Sequence, residues 1–433
     1  MYGRNCYKFI FYQGVLMKNY TDLLKSELIM ALGCTEPISI ALAAAKAREV
    51  LGDIPTKIEV MCSGNIIKNV KGVTVPNTNG MKGVEAATAI GTVAGDSCLG
   101  LEVLSKVTED DIKAAKDLME KNIITVSLKE GVENLDIEIV AEDDKENTVD
   151  VEIKNKHTNI VKVTKNDEII HIDNCYTHTP EYENYDELSV KDIFEYANNV
   201  DLDEVKDLLE KQITLNSKIS DEGLTGKWGV AMGKILMDED DSIRSKAKAR
   251  AAAGSDARMS GCSLPVVINA GSGNQGITCT MPLVVFANEK NYDRETLYRG
   301  LLITNLVALH IKRFIGRLSA FCGVTSAGVA AGAGICYMET KDLDLIEKTI
   351  SNALMIASGM ICDGAKASCA AKIATAVDAG ISGYYLAKNN RNFEAGDGLL
   401  KDDIEETIRS IGYVAKEGMK ETDIIVLNTM IQK

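Results

Sequence analysis

Between Ile123 and Ile172 apolar and polar residues alternate in the runs "ITVSLKEG", "LDIEIVAED", "TVDVEIKN", "NIVKVTKN" and "EIIHID", separated by Asp, Asn, Lys and Gly. A period of two sets one face of each run against a core and the other against water. These runs predict an antiparallel meander or a set of hairpins. "TKIEVMCSGNIIKN" alternates in the same manner and predicts a further strand, and "GVTVPNTNGMKG" after it is a turn-rich loop.

On either side of this region the spacing is helical. "YTDLLKSELIMAL" predicts a helix with Gly33 at its C-terminal cap. Thr35 or Glu36 then caps a second helix, with Pro37 in its first turn. "VEAATAIGTVAG" predicts a helix of small residues, and the aperiodic "NCYTHTPEYENYDEL" a linker. After Ser189 helices dominate: "VKDIFEYANN", "DLDEVKDLLEKQITLNSKI", "SIRSKAKARAAAG", "RETLYRGLLITNLVALHIKRFIG" and "DLIEKTISNALMIASG". The predicted class is α+β. A mixed N-terminal α/β domain with antiparallel strands, residues 17–185, carries the "GCTEP" and "VPNTNG" loops. An all-α glycine- and alanine-rich domain, residues 186–433, follows. Residues 1–16 read as a disordered extension, with Met17 as the natural start.

Charge narrows the function classes. A net charge of -15 argues against a nucleic-acid partner, since phosphate binding needs a basic surface. The most apolar run, "GLLITNLVALHIKRFIG", is interrupted by Asn305, His310, Lys312 and Arg313, so no membrane span is expected. A cytoplasmic protein acting on a small molecule fits best. Eleven cysteines against four histidines favour thiol chemistry over a histidine-based mechanism.

Three of those thiols lie among small residues: Cys322 in "SAFCGVTSAGVAAGAG", and Cys362 and Cys369 in "GMICDGAKASCAAK". On one unbroken helix Cys362 and Cys369 would share a face but stand about 10.5 Å apart. Asp363-Gly364 is a turn signal that breaks such a helix, and "SCAAKIATAVDAG" begins a fresh one with Cys369 in its first turn. The helix dipole favours a thiolate there. Cys322 likewise reads as a residue at a break before a glycine-rich helix. Three thiolates without a fourth suit a [4Fe–4S] cluster with one open iron, or an open zinc site. Core filling competes with both readings, because unpaired cysteines are among the most buried residues.

The segments "GCTEP", "SAFCGVTSAGVAAGAG" and "GMICDGAKASC", with "SGN" and "VPNTNG", resemble those of the L-cysteine desulfidase family, a branch of the iron–sulfur L-serine dehydratase α-domain superfamily. The likeness spans nearly the whole chain from about Met17. It implies a [4Fe–4S] cluster on Cys322, Cys362 and Cys369, with Cys34 as proton acceptor. Dehydratases place the last cysteine a few residues further on and follow the aspartate with proline, where this chain has Gly364. Cys336 is the nearest substitute ligand. The implied reaction is β-elimination from L-cysteine to pyruvate, ammonia and sulfide. L-serine dehydration and a cluster-less metabolite-binding paralogue are the alternatives, and a homodimer is possible.

Further roles follow on chemical grounds. Cys34 precedes a helix whose positive end is expected to lower its pKa toward neutral. Thr35 and Glu36 either cap that helix or bind the substrate ammonium. Ser63 and Asn65 of "SGN", with Asn77 and Thr78 of "PNTNG", sit in loops able to form a carboxylate nest. Asn274 is expected to line the pocket. Arg258 and Lys366 are possible cations, with surface solvation the expectation for each.

Two other chemistries are weaker. "NAGSGNQG" after the strand-like "LPVVI" contains a dinucleotide-type spacing at Gly271, Gly273 and Gly276, but Pro282 is expected to interrupt the helix that motif requires. A pyridoxal-phosphate lyase needs a Schiff-base lysine and a phosphate cup, and nothing around Lys366 resembles one.

Overall fold

The computed structural model describes residues 9–12, 15–173, 188–316 and 318–431. Phe9–Tyr12 (β1), within the predicted extension, pairs antiparallel with Val15–Lys18 (β2), which runs past its end, where the sequence predicts no ordered element. The predicted linker, apart from Leu188, lies outside the described residues.

The N-terminal half runs Thr21–Glu27 (α1), Met30–Leu32 (β3), Thr35–Leu51 (α2), Lys57–Cys62 (β4), Gly64–Val70 (α3), Val84–Ala94 (α4) and Glu109–Glu120 (α5). Then come the strands Ile124–Leu128 (β5), Asp136–Glu142 (β6), Thr148–Lys154 (β7), Ile160–Lys165 (β8) and Glu168–Ile172 (β9). The six-stranded sheet has the order β5-β4-β6-β7-β8-β9. Ile137, Ile139, Val149, Val151 and Ile153 form its buried face, which α2 covers. The opposite face carries charges in register: Lys129 reaches Asp136, Glu138 and Glu152. The period of two located each strand, yet β4 and β5 pair parallel rather than antiparallel. The long helical connection between them returns the chain in the same direction.

Three local expectations fail. The first predicted helix ends at Glu27, and Met30–Leu32 instead pairs antiparallel with Pro265–Val267 (β10), far along the chain. The "SGN" segment is not strand, since β4 ends at Cys62 and α3 begins at Gly64. Cys34 itself is the N-cap of α2, with no side-chain cap from Thr35 or Glu36.

The C-terminal half is helical: Val190–Asn199 (α6), Lys206–Gly223 (α7), Met232–Glu239 (α8), Ile243–Met259 (α9), Gly273–Lys290 (α10) and Arg294–Ile315 (α11). Val324–Thr340 (α12), Leu343–Ala357 (α13), Cys369–Lys388 (α14), Ile404–Tyr413 (α15) and Lys420–Ile431 (α16) complete it. Glycine density here serves close packing. A Cβ at Gly332 of α12 would lie 2.3 Å from the Gly380 carbonyl oxygen of α14. Against expectation α10 continues through Pro282, which is buried as are its neighbours from Gly273 to Ala287, so tertiary packing outweighs the local penalty. Residues from both halves share one buried core, joined by the β3–β10 pair and by α16 against α3. No described helix is long and apolar enough to cross a membrane.

Candidate active site

The segments before α12 and after α13 run antiparallel, with Phe321 opposite Ile361. The Cys322 N–H donates to the Met360 carbonyl at 2.9 Å, and the Cys362 N–H to the Ala320 carbonyl at 2.6 Å. This small bridge places the two thiols side by side. The chain then turns at Gly364, where φ is +92°, and enters α14 at Cys369. A Cβ at Gly364 would meet the Lys68 carbonyl at 2.5 Å, so the turn lies directly on α3. The Cys369 sulfur accepts from the Lys366 N–H at 3.4 Å.

All three sulfur-bearing residues line one cleft, whose empty space, continuous with solvent, is about 630 Å³. Among the described residues no three His, Cys, Asp or Glu side chains stand close enough to grip a single metal ion. A four-iron cluster asks for something wider: each thiolate takes a different iron, so the sulfurs must border a common space rather than meet at a point. An all-sulfur donor set is also the one that soft iron–sulfur centres select. The three residues fit such a cluster.

Electrostatics distinguish the thiols. Cys322 donates to Cys362, which holds Cys362 well below the ordinary thiol range and Cys322 well above it. The Lys68 and Lys312 ammonium groups add to the lowering at Cys362. Cys369 goes the other way, because burial outweighs the helix N-terminus expected to favour its thiolate.

Cys34 is buried behind this cleft and does not line it. Its thiol donates to the Met259 sulfur at 3.9 Å. Burial pushes its pKa from 9.0 up to about 12, Arg258 alone opposing and Glu36 and Cys369 reinforcing. Moving a thiol that far costs about 4 kcal/mol. A helix terminus contributes about 0.3–2 kcal/mol, so the expected near-neutral value does not arise.

The predicted binding residues divide. Glu36 and Asn274 line the cleft. Glu36 accepts from Asn69 Nδ2 at 3.0 Å, and Asn274 Oδ1 accepts from Arg258 Nη1 at 3.2 Å. Thr35 sits just behind, its hydroxyl donating to the Gly271 carbonyl at 2.9 Å. Ser63 and Asn65 lie elsewhere, in a cleft facing α16, where they bond the Asn134 carbonyl and Asp423. Asn77 and Thr78 line a third cleft beside Trp228 and Cys262, and their side chains bond the Leu104 and Val75 carbonyls. The expected nest of "SGN" and "PNTNG" is therefore not assembled at the thiols. Cys336 is buried within α12 against Thr340 and does not line the cleft, so it is no substitute for Cys369.

The sequence offered Arg258 as a candidate cation but expected it solvated, and did not offer Lys312. Arg258 is enclosed rather than solvated, and with Lys312 it lines the cleft. Lys366 is half-buried and bonds the Asp363 carbonyl. The dinucleotide spacing also has a packing explanation. Strand β10 pairs antiparallel with β3, outside any parallel βαβ unit, and a Cβ at Gly276 would lie 2.0 Å from the Val267 carbonyl oxygen.

Comparison with known proteins accords with the thiol cleft. The family described as serine dehydratase alpha chain matches residues 99–428, which takes in all three thiols, Arg258 and Asn274. A UPF0597 protein of Finegoldia magna is 95% identical over 417 residues, covering 96% of this chain and all of that one. UPF0597 proteins of Desulfitobacterium hafniense and Lachnoclostridium phytofermentans are 48% and 46% identical, each covering 96% of this chain and 97% and 100% of their own. With three quarters of its length in that match, the chain belongs to the serine dehydratase alpha-chain family.

Proposed function

We propose that this chain is a lyase that removes the β-substituent of a small L-amino acid, using a [4Fe–4S] cluster held by Cys322, Cys362 and Cys369. The observation that carries the reading is the placement of those three thiols on the rim of one cleft whose walls also bear Glu36 and Asn274. When bound, the cluster supplies a Lewis-acidic iron with a position open to the substrate.

The chain's own groups are set for the remaining tasks. The Cys322–Cys362 bridge preorganises two ligands, and the proton they share leaves as metal binds. Glu36, steadied by Asn69, presents a carboxylate to the substrate ammonium. The resemblance assigns the α-proton to Cys34, which stands behind Met259, whose Sδ accepts from Cys34 Sγ at 3.9 Å and from Asn274 Nδ2 at 3.6 Å. Cys34 therefore reaches a substrate in the cleft only once the Met259 side chain has moved aside. Cys34 is a base only as its thiolate, which burial disfavours and the charge of Arg258 favours. Departure of the β-group leaves an enamine that hydrolyses to pyruvate and ammonia.

L-cysteine is the substrate of choice, supported by the likeness of the three cysteine-bearing segments to the desulfidases. L-serine is the second reading, favoured by the description of the matching family. The test is pyruvate and sulfide release from L-cysteine, beside pyruvate from L-serine, by anaerobically reconstituted protein. Iron and sulfide are counted in the same sample. A cluster-loaded chain that yields pyruvate from neither amino acid is not this lyase. A sharp visible band abolished by borohydride would instead point to pyridoxal phosphate.

A further inference from the structure

Arg258 is 3% exposed and faces the cleft, yet among the described residues its guanidinium makes no ion pair with a carboxylate. Its one side-chain partner is neutral, Asn274 Oδ1 at 3.2 Å from Nη1, and Nε has no hydrogen-bond partner. A guanidinium withdrawn from water without a counter-charge costs several kcal/mol. Such a group is kept when an anion is to meet it.

The surroundings of Arg258 are built for an anion. The guanidinium lies over the first turn of α10, an 18-residue helix whose N-cap, Ser272, offers no side-chain cap. Its closeness depends on Gly273: a Cβ there would fall 2.3 Å from Nε and 2.8 Å from Cζ. The first-turn N–H groups and the guanidinium thus converge on one end of the cleft. Beside them Gln275, 4% exposed, carries an Oε1 with no partner, an acceptor suited to an ammonium N–H. Glu36 supplies a carboxylate in the same cleft. A single guanidinium with one helix end matches a monovalent anion, and adjacent acceptors for an ammonium match the other end of a zwitterion.

We infer that Arg258 is the anchor for the α-carboxylate of the amino-acid substrate, received between its guanidinium and the N-terminus of α10. Asn274 is its positioning residue, its Oδ1 holding Nη1 at 3.2 Å. The inference rests on the proposed lyase reading for the identity of the zwitterion, but its test does not depend on turnover.

L-alanine carries no leaving group and differs from ethylamine only by the carboxylate. Calorimetric titration of the cluster-loaded full chain with each, under anaerobic conditions, reads the carboxylate contact alone. The wild type is expected to bind L-alanine about 10- to 100-fold more tightly than ethylamine, the range of a charge-assisted pair. Arg258→Gln is expected to remove that preference. Arg258→Lys keeps the buried charge, loses the planar fork, and should cut the preference about tenfold; it decides the matter if the glutamine variant does not fold. Equal binding of the two ligands by wild type, no binding of L-alanine, or an unchanged preference in a folded variant would overturn the assignment. If no pyruvate is ever formed but the preference exists and is lost with Arg258, the lyase reading falls and the carboxylate site stands.

Discussion

The Cys34 thiol donates to the Met259 thioether sulfur across 3.9 Å, inside the core and behind the cleft that the other three thiols border. Burial that holds a thiol at about 12 also governs its reactivity. At about pH 8 the thiolate fraction of such a group is on the order of 10⁻⁴, against about 0.2 for an ordinary cysteine. Among the described cysteines iodoacetamide should therefore modify exposed Cys98 and the acidic Cys362 first, and Cys369 of the cluster-free chain, raised by burial, after them. Cys34 should follow only on unfolding, at least about 10³-fold more slowly than Cys98. Peptide mass spectrometry over a time course measures this. Labelling of Cys34 at the rate of Cys98 would show that the thiol is open to solvent in solution.

Removing one cluster ligand has a different signature from removing a packed cysteine. Cys322→Ala, Cys362→Ala and Cys369→Ala should each lower iron well below the about four atoms per chain of a cubane and bleach its broad visible absorbance. Turnover should fall by at least about 100-fold, since the loss of a direct ligand exceeds the 10- to 100-fold of an outer-shell change. Cys336→Ala should keep iron and colour, because that sulfur lies within α12 against Thr340. Retention of full iron by any of the first three, or its loss in the fourth, reassigns the ligand set.

How far these features can be read from the chain depends on the range of the forces that make them. The strands β4 and β6 to β8 were legible because a period of two is a local pattern that one buried face enforces; β5 and β9 show the alternation with no buried position. Met30–Leu32 was not, since its strand exists only through a partner more than two hundred residues away. The turn between Cys362 and Cys369 was legible through Asp363-Gly364, a signal written in adjacent residues. The pKa of Cys34 was not, because a helix end can be foreseen from sequence and the depth of burial above it cannot. Polar glycine loops read alike wherever the fold carries them, which is why Ser63 and Asn77 were assigned to a cleft they do not line. The burial of Arg258 escaped for the converse reason: nothing beside it in sequence shows that α10 closes over it.

Gly364 joins fold to site. Its left-handed φ and the Lys68 carbonyl at 2.5 Å from a would-be Cβ both exclude a side chain. Gly364→Ala should cost about 1–3 kcal/mol and push α3 away from Cys362. Gly359 offers the control, with φ +104° but nothing within 4 Å of a Cβ. Gly359→Ala should cost only the backbone part, about 1 kcal/mol. Urea unfolding of the two variants separates the effects, and equal losses would remove the α3 contact from the account.

Lys68 is 1% exposed and paired with Asp423 of α16, which Asn65 Nδ2 also reaches at 2.6 Å. This pairing occupies the "SGN" segment with the C-terminal helix. Asp423→Asn strands a buried ammonium and should destabilise by about 3–5 kcal/mol. The double variant Lys68→Met with Asp423→Asn should recover most of that loss, because the penalty lies in the unpaired charge rather than in the pair. A thermodynamic cycle by urea unfolding measures it, and additive losses would refute the coupling.

His310 provides a pH dependence with a definite sign. Its ring is fully buried in α11, with Nε2 2.6 Å from Glu405 Oε2. Burial lowers its pKa below the ordinary value; the Glu405 contact pulls the other way and is outweighed. The unfolded chain therefore takes up a proton near pH 6.5 that the folded chain refuses, and stability falls as pH drops below that point. Glu405 is also lowered, held ionised chiefly by the His310 contact against its burial, so near its unfolded value of 4.5 it adds a second loss of the same sign. Each group contributes a slope of up to about 1.4 kcal/mol per pH unit within its window. Urea midpoints between about pH 7.5 and pH 5.5 should decline for the wild type, and His310→Gln, which has no titrating ring, should flatten that decline. A variant that follows the wild-type slope would place the acid sensitivity elsewhere in the fold.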